Sequence, residues 1–288
     1  MQWQRCADLP VGTYNAQAVI LGDKVYVGGG TLKFRTESPP YIYVYDTTKD
    51  MWQLLASPCN NGALAVYRDQ LVVAGGTLSG VATSMVWVLD EKEHEWTEGI
   101  PPMPTARRDA TAMGIDEYLT VPGGFCEDIV EIYDGHQWMK TDPLPVRCHN
   151  LWSVYHTGFC FIMGGEGQRN SVFYASFESL IEKTKNPSAQ PPAWKKLPNV
   201  PYTASSPAIF GGSLLAIGGH NGPQKQKAIH MFLPITRSWI QVAEMPIAVD
   251  CTCAVGLPWG ELVIIGGHKK GEVQEFIHEV YKANLKFQ

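Results

Sequence analysis

Short apolar runs divided by turn-forming residues recur along the whole chain. Between residues 15 and 56 the order is NAQAVI, the turn LGDK, VYVGGG, a longer loop TLKFRTESPP, YIYVYD, the turn TTKD and MWQLLA. β-Branched and aromatic residues fill the runs, and Gly, Asp, Thr and Pro fill the gaps, which is the pattern of antiparallel hairpins. Four strands in this order make one small sheet. The first half of the cycle returns as LAVYRDQLVVAGG, ATAMGIDEYLTVPGG, WSVYHTGFCFIMGG, PAIFGGSLLAIGG and CAVGLPWGELVIIGG.

Every second strand runs into glycines: Gly28-Gly29-Gly30, Gly75-Gly76, Gly123-Gly124, Gly164-Gly165, Gly218-Gly219 and Gly266-Gly267. After a loop and a further apolar run a tryptophan follows, at Trp52, Trp96, Trp138, Trp194 and Trp239. The glycines allow close approach of backbones near a narrow centre. Tyr45, Leu89, Tyr133 and Phe232, each just before a tryptophan, fill the widening gap between sheets, a packing role. The period of about 45 residues is that of β-propeller blades. No tryptophan follows the last glycine pair, whereas Trp3 stands alone at the other end of the chain. The phase predicts an all-β, six-bladed propeller of four antiparallel strands per blade, its last blade completed by the N-terminal strand MQWQRCA. It is read as a single domain over 1–288, with repeats at roughly 11–57, 58–101, 102–143, 144–199, 200–245 and 246–288, the last joined by 1–10. The irregular stretch 178–192, ESLIEKTKNPSAQPP, reads as a solvated loop with room for one helical turn.

A glycine pair, then an aromatic residue, then a tryptophan in the last strand resembles the Kelch repeat, and the resemblance covers the whole chain. Blade 2 departs by having Leu89 for the aromatic, blade 3 by the short turn YDGHQW and blade 4 by its insertion. In BTB-Kelch substrate receptors, the resemblance implies, partners bind the face shared by the loops between strands 2 and 3 and between blades. Strand-start arginines there can hold acidic peptides.

Aligning the first strands on a small-apolar pair (Ala18-Val19, Ala65-Val66, Ala112-Met113, Ser153-Val154, Ala208-Ile209, Ala254-Val255) gives two columns for this face. They are Tyr14, Asn61, Arg108, His149, Ala204 and Asp250, then Asn15, Gly62, Asp109, Asn150, Ser205 and Cys251. Arg107, Arg147 and Arg169 would extend Arg108 into a basic patch on blades 3 and 4, the planar guanidinium being suited to carboxylates. Phe34 and Arg35 in the long loop of blade 1, and His220, Asn221 and His268 after glycine pairs, complete the expected partner face. Polar residues at strand starts also serve simply to satisfy loop backbone.

Composition narrows the function further. A net charge of −5, with basic and acidic loops interspersed, gives no continuous track for nucleic acid. No apolar run is long enough to span a bilayer. The seven cysteines are scattered and no signal-peptide pattern opens the chain, so free thiols in a reducing, cytoplasmic setting are expected. Cys251-x-Cys253 reads as two small packed residues on one strand face. His149, His220 and His268 come from adjacent blades, but HxH or HExxH spacing is lacking, so no metal or other cofactor is expected. The ExxxDxxxH pattern of specifier proteins is absent, and the acidic run around His94 reads as a solvated turn. The expectation is a monomeric, non-enzymatic module that binds a protein or peptide, as in substrate recognition within a larger scaffold or ubiquitin-ligase assembly. The alternative is a sugar-binding or mutarotase-like site in the channel mouth.

Overall fold

The computed structural model describes residues 2–31, 41–92, 94–125, 127–146, 151–164, 170–186, 192–269 and 275–284. The strands form six antiparallel blades. Blade 1 is Tyr14–Leu21, Lys24–Thr31, Tyr41–Asp46 and Met51–Ala56; blade 2 is Ala63–Tyr67, Gln70–Ala74, Val86–Asp90 and Glu95–Ile100. Blade 3 is Met113–Ile115, Tyr118–Pro122, Val130–Tyr133 and Trp138–Lys140; blade 4 is Leu151–His156, Phe159–Gly164, Val172–Ser176 and Lys195–Leu197. Blade 5 is Ser206–Phe210, Ser213–Ile217, Gln224–Leu233 and Ser238–Val249; blade 6 is Cys253–Gly256, Leu262–Ile265, Val280–Ala283 and, from the other end of the chain, Trp3–Arg5. Trp3 pairs with Ala283 and Arg5 with Tyr281, which closes the ring as the phase of the repeat requires.

The tryptophans do more than fill space. Each indole N–H donates to a backbone carbonyl at the outer end of the preceding blade: Trp52 to Ala7 at 2.9 Å, Trp96 to Ala56 at 2.7 Å, Trp138 to Pro101 at 2.7 Å, Trp194 to Asp142 at 3.4 Å and Trp239 to Pro198 at 2.9 Å. Trp3 donates to Glu244 of blade 5 at 2.7 Å, so the series runs round the ring without a break. Leu89 and Tyr133 lie directly opposite Trp96 and Trp138 across their strand pairs, as Tyr45 does opposite Trp52 and Phe232 opposite Trp239. Ring centroids in the last two pairs stand 4.9 and 5.3 Å apart, so the packing role expected of them is met.

At the centre the glycine pairs carry a second ring of contacts. Gly76 N–H donates to Arg107 O at 2.8 Å, Gly219 N–H to Val249 O at 2.9 Å and Gly267 N–H to Thr13 O at 2.9 Å, in each case reaching the next blade. The first strands approach one another closely as well. A Cβ on Gly114 would run into the Val66 carbonyl oxygen, and one on Gly256 into that of Ile209.

The segment 178–192 is not simply a solvated loop. A helix, α1 (Phe177–Lys185), takes up most of it, with the Ser176 hydroxyl accepting from Ser179 N–H at its start. Phe177 and Leu180 are buried, Phe177 stands edge-on to Tyr118, and the Thr141 hydroxyl donates to Leu180 O at 2.7 Å. The helix therefore closes the underside of blades 3 and 4. Among the described residues no helix is long and apolar enough to cross a membrane.

Gly114→Ala should lower the urea midpoint by the equivalent of about 1–3 kcal/mol, because the new methyl must displace a neighbouring backbone. Gly99→Ala, whose Cβ would meet only ordinary contacts at 3.4 Å or more, should leave the midpoint nearly unchanged.

Candidate functional site

The inter-blade linkers and the loops between strands 2 and 3 lie together on one face. Backbone bridges join Asn60 to Thr77, Thr203 to His220 and Asp250 to His268, and Tyr14 pairs with Thr31 in the same way. These bridges define equivalent positions, and they correct the alignment drawn from the small-apolar pairs. The residue after each bridge adopts a left-handed conformation, Asn15 (φ 56°), Asn61 (φ 53°), Ala204 (φ 56°) and Cys251 (φ 50°), and Asp109 (φ 53°) does the same before blade 3. Asn61 and Ala204 thus belong in the second column with Asn15 and Asp109, one place from where the apolar pairs put them. Their backbones link the blades, with Asn15 N–H donating to Cys251 O at 2.9 Å, Cys251 N–H to Ala204 O at 3.2 Å and Asp109 N–H to Asn61 O at 3.2 Å. Asn and Asp suit this conformation because their short side chains tolerate it. Cys251, being left-handed, does not share a strand face with Cys253, which is buried at the first position of its strand.

The mouth of the channel lies inside this ring. Asn15, Asn61, Asp109 and Gln17 line a cavity of about 30 Å³, room for a water molecule or two. Gln17 closes its floor: its amide donates to Ala110 O at 2.7 Å and accepts from Leu64 N–H at 3.0 Å, tying blades 1, 2 and 3. This cavity by itself is too small for a sugar ring. A wider chamber of about 300 Å³ opens on the opposite face, lined mainly by small apolar side chains such as Ala18, Ala65, Ala112 and Ala254.

The arginines of blade 3 divide. Arg107 is wholly buried and does not join a basic patch. Its guanidinium donates to the carbonyls of Val121, Gly123 and Ile129 and to Glu131 Oε2 at 2.6 Å. Glu131, equally buried, also accepts from the Thr105 hydroxyl at 2.8 Å. Burial pushes the Arg107 pKa down and Glu131 opposes it. Arg108, the next residue, turns outward, its guanidinium 4.5 Å from the ring centre of Phe125 and 3.7 Å from Asp109.

On the far side of the mouth three further predicted residues meet. Asp250, 4% exposed, accepts from Lys225 and from His268 Nδ1 at 3.2 Å, and His220 Nε2 stands 3.7 Å away. His268 faces Phe276 across a small hairpin, and Phe276 stacks on Tyr14 of blade 1 with centroids 4.8 Å apart. Asn221 sits exposed beside His220 in the short strand, opposite Gln224. Of the other predicted residues, Phe34, Arg35, Arg147, His149, Asn150 and Arg169 lie outside the described residues, so the three-histidine grouping is described only for His220 and His268. Among the described residues no set of three His, Cys, Asp or Glu side chains is arranged around a common metal position.

Lys225, Phe125, Phe276 and the hairpin carrying Leu78 and Val81 were not anticipated. That hairpin, Thr77–Leu78 with Val81–Ala82, projects from blade 2 and turns through Ser79 and Gly80, both with positive φ as a type I′ turn requires. Leu78 and Val81 are opposite each other across it and are 41% and 70% exposed; Phe125 on the next blade is 44% exposed. The short sequence TLSGVA held the turn signal, but nothing marked its two apolar residues as solvent-facing.

Glu131→Gln should cost about 3–5 kcal/mol in chemical unfolding, because it leaves the Arg107 charge buried without its partner. Arg108→Gln, at the half-exposed neighbour, should cost under about 1 kcal/mol.

The Kelch motif family matches residues 58–104 and 201–246, which are blades 2 and 5. The chain is 24% identical over 284 residues to the Kelch-like protein terF of Aspergillus terreus, covering 87% of this chain and 60% of that protein. It is 25% identical over 240 residues to human Kelch-like protein 38, covering 78% of this chain and 39% of that one. With Kelch-like protein 40 of Xenopus tropicalis the identity is 24%, over 76% of this chain and 37% of the relative. The chain thus spans between about a third and three fifths of these relatives' length. The solved structure described as "Structure of YjhT" superposes with a TM-score of 0.71 at 18% identity, covering 95% of both chains, which is a likeness of fold. With the motif matched in two blades and its frame repeated round a closed ring of six, the chain is a Kelch-repeat β-propeller.

Proposed function

We propose that this propeller is a protein-interaction module that holds a protein or peptide partner on the face of the inter-blade linkers and strand 2–3 hairpins. One observation carries the reading: Leu78 and Val81 stand exposed on a turn-locked hairpin of blade 2, and on the next blade the exposed Phe125 lies under the Arg108 guanidinium. Apolar groups fixed by backbone lose little conformational entropy on binding, and an aromatic–arginine pair at their edge is the composition of an interface hot spot. The Kelch-like relatives agree with an interaction role, and recognition of a substrate within a larger scaffold or ligase assembly is the version we favour. The small cavity in the mouth favours contact across the rim over capture of a sugar inside it.

The test compares two faces of the same protein. Val81→Asp and Phe125→Ala should each reduce recovery of the cellular partners in proximity labelling by about tenfold, as expected for a hot-spot loss above 1 kcal/mol. Ile235→Asp, at a 98% exposed position in the strand 3–4 turn of the opposite face, should leave the same partners in place. Equal recovery by all three variants, with folding confirmed by circular dichroism, rejects this face as the docking surface.

A further inference from the structure

Asp250 is the hub of a buried charge cluster on the same face. It receives Lys225 from the third strand of blade 5 and His268 from the hairpin of blade 6, with His220 from the hairpin of blade 5 close by. Among the described residues no other charged side chain contacts this group. Among the described residues one carboxylate faces one ammonium, so the pair is balanced and no second acid stands against the imidazoles. The carboxylate paired with Lys225 accepts hydrogen bonds, which makes His268 Nδ1 the donor and leaves Nε2 as the nitrogen that would take up a proton. His220 Nδ1 is buried with no hydrogen-bond partner. An added proton therefore enters a partly buried space already holding an ammonium.

The cluster is also wired to the architecture. Asp250 and His268 exchange backbone hydrogen bonds at 3.2 and 3.0 Å. Phe276, paired with His268, lies flat against Tyr14 of blade 1, with 5° between the ring planes. Loops of blades 5, 6 and 1 are thus joined through one titratable contact.

We propose that the Asp250–Lys225–His268 cluster is a proton-operated latch, closed when His268 is neutral and loosened when it is protonated, that sets the conformation of the blade 5–6–1 sector of this face. Burial first and Lys225 second push the His268 pKa below its ordinary value, against the opposing pull of Asp250. A histidine whose folded pKa is lowered binds its proton less readily folded than unfolded. The closed state is fully stable above the unfolded value of about 6.5 and loses stability as pH falls from there toward the folded value. Any effect on partner binding rests on the docking surface proposed above; the latch itself does not.

Hydrogen exchange of the full chain at pH 7.5 and 5.5, corrected for the intrinsic pH dependence of exchange, tests it without a partner. Peptides over 220–226 and 266–276 should lose protection at the lower pH, by several-fold and at most about tenfold for one titrating histidine, while those over blades 2 and 3 hold theirs. His268→Asn, which keeps an amide N–H near the Nδ1 position and does not titrate, should abolish the difference. An unchanged wild-type sector, or the same response in H268N, overturns the latch. Should H268N fail to fold, NMR titration of the wild-type protein decides. The His268 ring and the Phe276 amide must shift together with a midpoint below that of a free histidine, and a ring that titrates while the amide stays still overturns the proposal. A failed latch leaves the docking surface standing, and a failed docking surface leaves the exchange result untouched.

Discussion

Closure of the ring is the constraint on which everything else in this molecule rests. A blade alone is a four-stranded sheet with two apolar faces and two unpaired edges, and it has no stable state in water by itself. Six of them bury those faces against one another only if the first blade meets the last. Here that meeting is made by Trp3–Arg5 alongside Val280–Ala283, and the contact is reinforced at both sides. Trp3 donates back to Glu244 in blade 5, while Ala7, just beyond the closing strand, accepts from Trp52 of blade 1 and donates to Asp50. A single N-terminal segment is thus clamped between two neighbours. Asp50 accepts a further hydrogen bond from the Tyr45 hydroxyl at 2.6 Å, so even the charged group at the seam is satisfied.

The periodic features could be read from the sequence because the same physical demand recurs six times. Every blade needs a residue without Cβ at the centre and a large ring with an N–H at the rim, and repetition separates such demands from chance. The strand starts were read one place out in blades 2 and 5 for the opposite reason. Ala65-Val66 looks like Ala18-Val19, but register is fixed by hydrogen bonding. Ala16 faces Gly29, the first left-handed glycine of its loop, and Gly75 has the same conformation in blade 2. Counting back from the glycines places Asn61 with Asn15. Similar reasoning applies to α1. Its Lys, Glu, Ser and Pro content suggested loop, whereas Phe177, Leu180 and Ile181 are spaced as one face of a helix and Ser176 is a capping residue.

Arg107 and Arg108 show what a sequence leaves open at a single position. The two residues lie in the linker before blade 3, outside any strand, so no side-chain alternation marked which of them turns inward. The signal lay 24 residues away, in a carboxylate within the otherwise apolar strand Val130–Tyr133. A buried charge of that kind needs a partner of opposite sign, and the inward arginine supplies it. The Asp250 cluster was less legible. Asp250, His220 and His268 were each placed on the right face, but Lys225 sits in a basic run, QKQK, in which only three-dimensional contact distinguishes the buried lysine from Lys227.

The two halves of the face use their rigid frame differently. On blades 2 and 3 the frame presents apolar groups outward, with the ion pair locked beneath them: Gly76 N–H and the Thr83 carbonyl hold the backbone of Arg107 at the same point where its side chain crosses blade 3. On blades 5, 6 and 1 the charged groups themselves join the loops, with Asp250 buried and Lys225, His220 and His268 partly exposed around it. Asp250 immediately precedes Cys251, whose N–H and carbonyl connect Ala204 to Asn15 around the mouth. A change in charge at the cluster therefore acts on a backbone ring shared by three blades. Among the described residues Gln17, bonded to Leu64 and Ala110, links blade 1 to the Arg107 side. That asymmetry follows from where each charge is placed, and it is the reason the proposed latch assigns a fixed platform to one half of the face and an adjustable one to the other.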